Sequence, residues 1–180
     1  MIRIIGGTFR GRNLQTVKGL KTRPTASRIR GSIFDVIIHS ARGLGTLTGL
    51  GVLDLFAGSG AMGFEALSRG AERVTFVDSS RAATGRIRNN AKTLEISESC
   101  QVLSCKVSTA LKEIESSREC FDLVFMDPPY SARAARDEAL VQLGGGALLN
   151  PGSLVVVEGP AENGRRFIPC GGRDMGSLEE

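Results

Sequence analysis

Two short segments of this 180-residue chain combine residue types that could do chemistry. Asp127-Pro128-Pro129-Tyr130 places a carboxylate, two rigid carbonyls and an aromatic ring within four residues. Proline has a fixed φ and no N–H to donate, but its carbonyl still accepts. A planar amine needs two acceptors for its two hydrogens and a π surface for the ring that carries it. The exocyclic amine of a nucleobase is a poor nucleophile, because its lone pair is delocalised into the ring. Holding both hydrogens on Asp127 and the Pro128 carbonyl would favour a pyramidal nitrogen aimed at an electrophile, and such positioning can lower a barrier by several kcal/mol. Tyr130 would stack on the base. Asp127, Pro128, Pro129 and Tyr130 are therefore the candidate catalytic set.

The second segment, Gly58-Ser59-Gly60-Ala61-Met62-Gly63, matches G-x-G-x-x-G. It follows an apolar run and precedes a helical one, the context in which such a turn lets backbone approach a nucleotide-like ligand. Asp78 lies 18 residues after Gly60, where a carboxylate can accept ribose hydroxyls. A nicotinamide dinucleotide fits these features too. Asp54, four residues before Gly58, opposes it: a carboxylate is unwelcome beside a pyrophosphate and suits the ammonium of an amino acid. Asp54, Phe56, Ala57, Gly58, Gly60, Asp78 and Ser79 are the candidate cofactor residues here.

Elements that could position these segments are legible. Short apolar strands are expected at Val52–Phe56, Arg73–Val77, Gln101–Ser104, Phe121–Met126 and Ser153–Val157. Helices are expected between them, from Ala61 to Ser68 and around Ala83–Leu94, Val107–Ile114 and Ala135–Leu143. Continuous apolar strands alternating with helices imply a mostly parallel sheet covered on both faces. Right-handed connections make it an α/β, Rossmann-like, doubly wound layer. Ligands bind such sheets beyond the carboxyl ends of the strands, and Ala57–Gly63, Asp78 and Asp127–Tyr130 all fall there.

The first 40 residues read differently. Strands at 2–5 and 12–17 flank Gly6, Gly7 and Gly11, which suggests a hairpin. Thr25 could cap a helix running to about Ser40. Residues 1–34 hold eight basic side chains and no acidic one, out of 23 basic and 19 acidic in the chain. A basic β-hairpin and helix extension over residues 1–40, on a mildly acidic core over 41–180, suits a polyanionic partner. The chain is otherwise of ordinary globular composition, 41% apolar and 23% charged. Its four scattered cysteines and single histidine predict free thiols in a reducing cytoplasm and no metal site. No apolar run suggests a membrane span, and the N-terminus does not read as a signal peptide.

Asp54-Leu55-Phe56-Ala57-Gly58-Ser59-Gly60 resembles motif I of class I S-adenosylmethionine methyltransferases, and Asp127-Pro128-Pro129-Tyr130 resembles motif IV of amino-methyltransferases. With Ile4-Ile5-Gly6-Gly7, Arg10-Gly11-Arg12 and Arg23-Pro24-Thr25-x-x-Arg28-x-Arg30, the chain resembles the RsmD family from Ile2 to about Glu158. The resemblance implies the class I methyltransferase fold, S-adenosyl-L-methionine as cofactor, and methylation of guanine N2 in 16S ribosomal RNA, naked or within a partly assembled small subunit. It implies that Asp54, Gly58, Gly60 and Asp78 hold the cofactor. It also implies that the basic arm, with Arg10, Arg12, Arg23, Thr25, Arg28 and Arg30, meets RNA. Three departures stand out. Gly31 replaces a usual Glu. Lys106-Val107 replaces an acidic or amide residue at the adenine, leaving backbone groups of Val107 for that role. The closing strand is not recognisable after Glu158, so an incomplete antiparallel edge is expected. Adenine-N6 methylation of DNA or RNA, and a catalytically lapsed RNA-binding protein, remain the alternatives.

Overall fold

The computed structural model describes residues 2–16, 24–145, 147–157 and 166–169. Within it, β3 (Gly51–Leu55), β4 (Arg73–Val77), β5 (Cys100–Leu103), β6 (Phe121–Met126), β7 (Leu149–Val157) and β8 (Arg166–Pro169) form one sheet. Their order is β5-β4-β3-β6-β7-β8, parallel except for β8. Every residue of β3 is buried, because helices cover both faces. Val52 packs with α1 (Pro24–His39), α2 (Ala61–Ser68) and α3 (Arg81–Thr93) around Phe34, Phe64, Phe76 and Phe125. Leu53 and Leu55 face the opposite way, toward α4 (Val107–Ser117) and α5 (Arg133–Gly144). The chain reverses its winding direction between β3 and β6, which opens a crevice at their carboxyl ends.

The strands and helices expected from periodicity are present. Two boundaries differ for physical reasons. Phe56 leaves β3 because its φ is +59°, outside strand geometry. β7 begins at Leu149, running through Pro151 and Gly152 with a shift of register against β6. The expectation of an incomplete antiparallel edge is corrected: β8 pairs with Leu154–Val157. Phe167-Ile168 is too short an apolar run to signal a strand alone, and Pro169 is compatible with an edge position.

The hairpin of β1 (Ile2–Arg3) and β2 (Asn13–Leu14) is built into the core, with Ile4 and Leu14 both 1% exposed. Glu65 of α2 is fully buried and carries the attachment. Its carboxylate accepts from the backbone amides of Ile5 and Gly6, both at 2.8 Å, and from Arg69 Nε at 2.9 Å. Ser68 accepts from the amide of Phe9 at 2.9 Å and donates to the Gly6 carbonyl. On the other side, Asn90 of α3 exchanges two hydrogen bonds with the backbone of Gln15.

Candidate active site

Leu55 pairs in parallel with Met126, the last residues of β3 and β6. Phe56 and Asp127 therefore leave the sheet side by side, from strands about 4.8 Å apart. This register brings the glycine turn and the tetrapeptide to one crevice.

The turn is shaped by close packing below and open space above. A side chain at Gly63 would collide with the ring of Phe76, so α2 can lie this close to β4 only with glycine there. Gly58 has φ +55°, and a Cβ there would meet nothing closer than the Phe56 carbonyl, at 3.9 Å. That open flank is where a ligand can approach backbone. Phe56, half-buried in a left-handed conformation, marks strain of the kind held at functional sites.

Three carboxylates surround the turn. Asp78 is half-buried and accepts from the Gly58 amide and the Ser80 amide, both at 2.8 Å. Each oxygen keeps acceptor capacity for a ligand hydroxyl. Asp54 is 4% exposed and accepts from the Gly63 amide at 3.0 Å. That amide belongs to the first turn of α2, whose N-cap, Gly60, has no side chain to offer. Burial pushes the Asp54 carboxyl up to about 8; the Gly63 N–H opposes this, and the charges of Asp127 and Asp78 add to it. Mutual influence of the three is a second sign that the loops converge.

Asp127 and Pro129 are exposed and Pro128 is half-buried. The Pro129 carbonyl is taken by the Ala132 amide at 2.8 Å, in the turn that leads to α5. Among the described residues no donor takes the Pro128 carbonyl. Tyr130 opens that turn; its side chain lies outside the described residues. Ser79 is exposed beside Asp78. Val107 begins α4 with its side chain buried, so only its backbone could meet a ligand.

The basic residues divide. Arg10 and Arg28 are exposed. Arg12 is exposed and donates to the Thr93 carbonyl at 3.0 Å. Arg30 requires correction as an RNA contact: it is 5% exposed, donates to the Arg3 carbonyl at 2.6 Å, and lies 3.6 Å from Glu65. It is enclosed between α2 and the hairpin, out of reach of a phosphate. Arg23 and the side chain of Thr25 lie outside the described residues. At Gly31 only Ile5 comes within 4.0 Å, so a longer side chain would fit there. Glu65 was not singled out from sequence; its signal was a lone acid inside the apolar helix Ala-Met-Gly-Phe-Glu-Ala-Leu-Ser.

Among the described residues no cluster of His, Cys, Asp and Glu could hold a metal ion, and no helix is long and apolar enough to cross a membrane.

A family model described as "Conserved hypothetical protein 95" matches residues 2–169. The Ribosomal RNA small subunit methyltransferase D of Haemophilus influenzae is 35% identical over 161 residues, covering 87% of this chain and 78% of the relative. Its Escherichia coli namesake is 33% identical over 169 residues, covering 94% and 80%. The solved structure of yhhF from Escherichia coli matches with a TM-score of 0.73 and 33% identity, covering 87% of this chain and 79% of that one.

Proposed function

The chain belongs to the Conserved hypothetical protein 95 family, the RsmD family of class I methyltransferases, and on that premise we propose that it methylates the exocyclic N2 of a guanine in small-subunit ribosomal RNA. The observation that carries the reading is the Leu55–Met126 pairing, which sets a nucleotide-type turn beside a two-acceptor amine site.

The open flank of Gly58 and the carboxylate of Asp78 fit S-adenosyl-L-methionine, with Asp78 taking the ribose hydroxyls. When bound, that cofactor supplies a methyl group on a sulfonium. Asp54 sits behind the turn and favours positive charge in front of it. It acts through the Gly63 amide and through its charge, because it is too buried to be a broad contact surface. The backbone of Val107 would border the adenine.

The chain's own groups do the positioning. The Asp127 carboxylate and the Pro128 carbonyl accept the two amine hydrogens and turn the nitrogen lone pair toward the methyl group. Tyr130 supplies, by residue type, a ring for the flipped base. Asp127 is open to solvent, so the proton released after transfer can pass from it to water. Arg10, Arg12, Arg28 and Arg23 supply the positive field for RNA. The partner is 16S ribosomal RNA, free or partly assembled, and the compartment is the cytoplasm.

The test is tritiated-methyl transfer to small-subunit RNA, followed by nucleoside analysis. N2-methylguanosine is the expected product. N6-methyladenosine would replace the guanine reading with its adenine alternative, and no transfer to any RNA would remove the activity.

A further inference from the structure

Helix α3 carries Arg81, Arg86, Arg88 and Lys92 and no acidic residue. Arg81, Arg88 and Lys92 recur at spacings of seven and four, which puts them on one stripe, and all three are exposed. A solvated helix face usually mixes both signs. Among the described residues, neither these four nor Arg10 and Arg12 forms an ion pair.

Three of these side chains are nevertheless held in place. Arg12 donates to the Thr93 carbonyl at 3.0 Å, and Arg86 donates to Gln15 Oε1 at 3.1 Å. Arg88 donates to the Val102 carbonyl at 2.8 Å and to Ser104 Oγ at 3.3 Å. Every acceptor is neutral. The guanidiniums are thus oriented without being neutralised, and each keeps further N–H groups. Oriented cations lose less conformational entropy when they meet an anion. Shielding the open edge of β5 explains Arg88 alone. It leaves the other charges unexplained.

The hairpin and α3 are one surface, because Gln15 and Asn90 join them. Between α3 and β5 runs a shallow groove with Arg88 and Lys92 on its walls and Ala91, Cys100 and Val102 beneath. Burial pushes the Cys100 thiol up to about 12, so it serves as apolar wall rather than as a nucleophile. Glu95 and Glu98 follow the helix at its far end, which confines the positive strip to α3 and the hairpin.

We infer that α3 is a second RNA-binding surface, continuous with the hairpin, which carries the strand flanking the target nucleotide on Arg12, Arg86, Arg88, Arg81 and Lys92. The inference rests on the proposed RNA methylation and extends it. A cation strip beside a narrow apolar floor suits phosphates with an unstacked base between them.

The test compares wild type with Arg81→Ala/Arg88→Gln/Lys92→Ala for equilibrium binding of protein-free small-subunit RNA. Each phosphate contact on a single strand contributes roughly 0.7 to the slope of log affinity against log salt. Three contacts then make the wild type lose about 20-fold more affinity than the variant between about 50 and about 200 mM salt. Arg81→Ala/Lys92→Ala removes two side chains that make no hydrogen bond in the fold, and should show about a sevenfold difference. Melting temperature and cofactor affinity are expected to stay unchanged in this double variant. Wild-type slopes in both variants would overturn the α3 surface while leaving the methylation standing; a defect seen only with ribosomal proteins present would also overturn it, in favour of a protein partner. A reduced slope in a protein whose wild type transfers no methyl would keep the surface and sink the proposed reaction.

Discussion

Glu65→Gln changes one atom type and should cost more stability than most truncations on this protein. The Glu65 carboxylate takes two backbone amides, at Ile5 and Gly6, and Arg69 Nε, with Arg30 at 3.6 Å. Glutamine can accept from one amide with its carbonyl. Its NH₂ must then face the other backbone N–H, donor against donor. Arg30, which burial lowers from its ordinary value and Glu65 raises, is left beside Arg69 with no carboxylate. Hydrogen bonds to a charged group contribute about 1.5–3 kcal/mol, and breaking a buried ion pair from one side costs about 3–5 kcal/mol. These terms overlap, so the expected loss is roughly 3–5 kcal/mol. For a chain of this size that lowers Tm by roughly 6–20 °C.

Urea unfolding of the cofactor-free protein, followed by circular dichroism, measures the loss. Removing both charges should be milder: Arg30→Met/Glu65→Met is expected to recover part of it, because no buried charge is then stranded. Hydrogen exchange at Ile5 and Gly6 gives a local readout, and both amides should lose protection in Glu65→Gln. A loss below about 1 kcal/mol, with those amides still protected, would refute the clamp.

Three further outcomes follow from the site. Asp127→Ala should abolish methyl transfer while cofactor affinity, measured by calorimetry, stays within a few fold; wild-type turnover would remove Asp127 from the chemistry. Asp54 starts from an ordinary carboxyl value of 3.8 and is pushed up to about 8 on folding, so folding takes up a proton. Its contribution is complete below about 4 and is lost as pH rises through about 8, so the cofactor-free protein should become less stable across that window. Asp54→Asn should flatten the dependence of Tm on pH, and an unchanged profile would falsify the assignment. Arg28→Ala should lower the salt slope of RNA binding by roughly 0.7 without a stability cost, whereas Arg30→Ala should lower Tm; a reduced slope at unchanged Tm for Arg30→Ala would reverse the two roles.

The sheet was legible because its strands are buried on both faces and read as unbroken apolar runs, as in Val52-Leu53-Asp54-Leu55-Phe56. The glycine turn was legible because its spacing encodes both packing and approach. What sequence left unread was the orientation of charge. Arg28 and Arg30 look alike as letters, yet they lie roughly 200° apart on α1. Arg30 shares the stripe of Ile33, Phe34 and Ile37, all buried, so the helical spacing itself separates the two. Asp54 reads as a ligand for an ammonium; the fold spends its carboxyl on the amide of Gly63. β8 was unread because an edge strand of four residues depends on its partner, not on its own pattern.

Helix α2 joins the two halves of the proposed reaction. Its eight residues span about 12 Å. Its first turn forms the floor of the cofactor loop and is capped from beneath by Asp54. One turn further on, Glu65 and Ser68 hold the hairpin that bears Arg10 and Arg12. A basic segment tethered only by its sequence could bind RNA but could not fix the register of a single base against the methyl donor. Attachment through backbone amides makes the hairpin as rigid as the helix it sits on, so the RNA surface and the cofactor loop share one reference frame. That rigidity matters because a misplacement of about 1 Å can cost about a hundredfold in rate. A buried acid, expensive unless fully satisfied, is the sort of group that such positional demands retain.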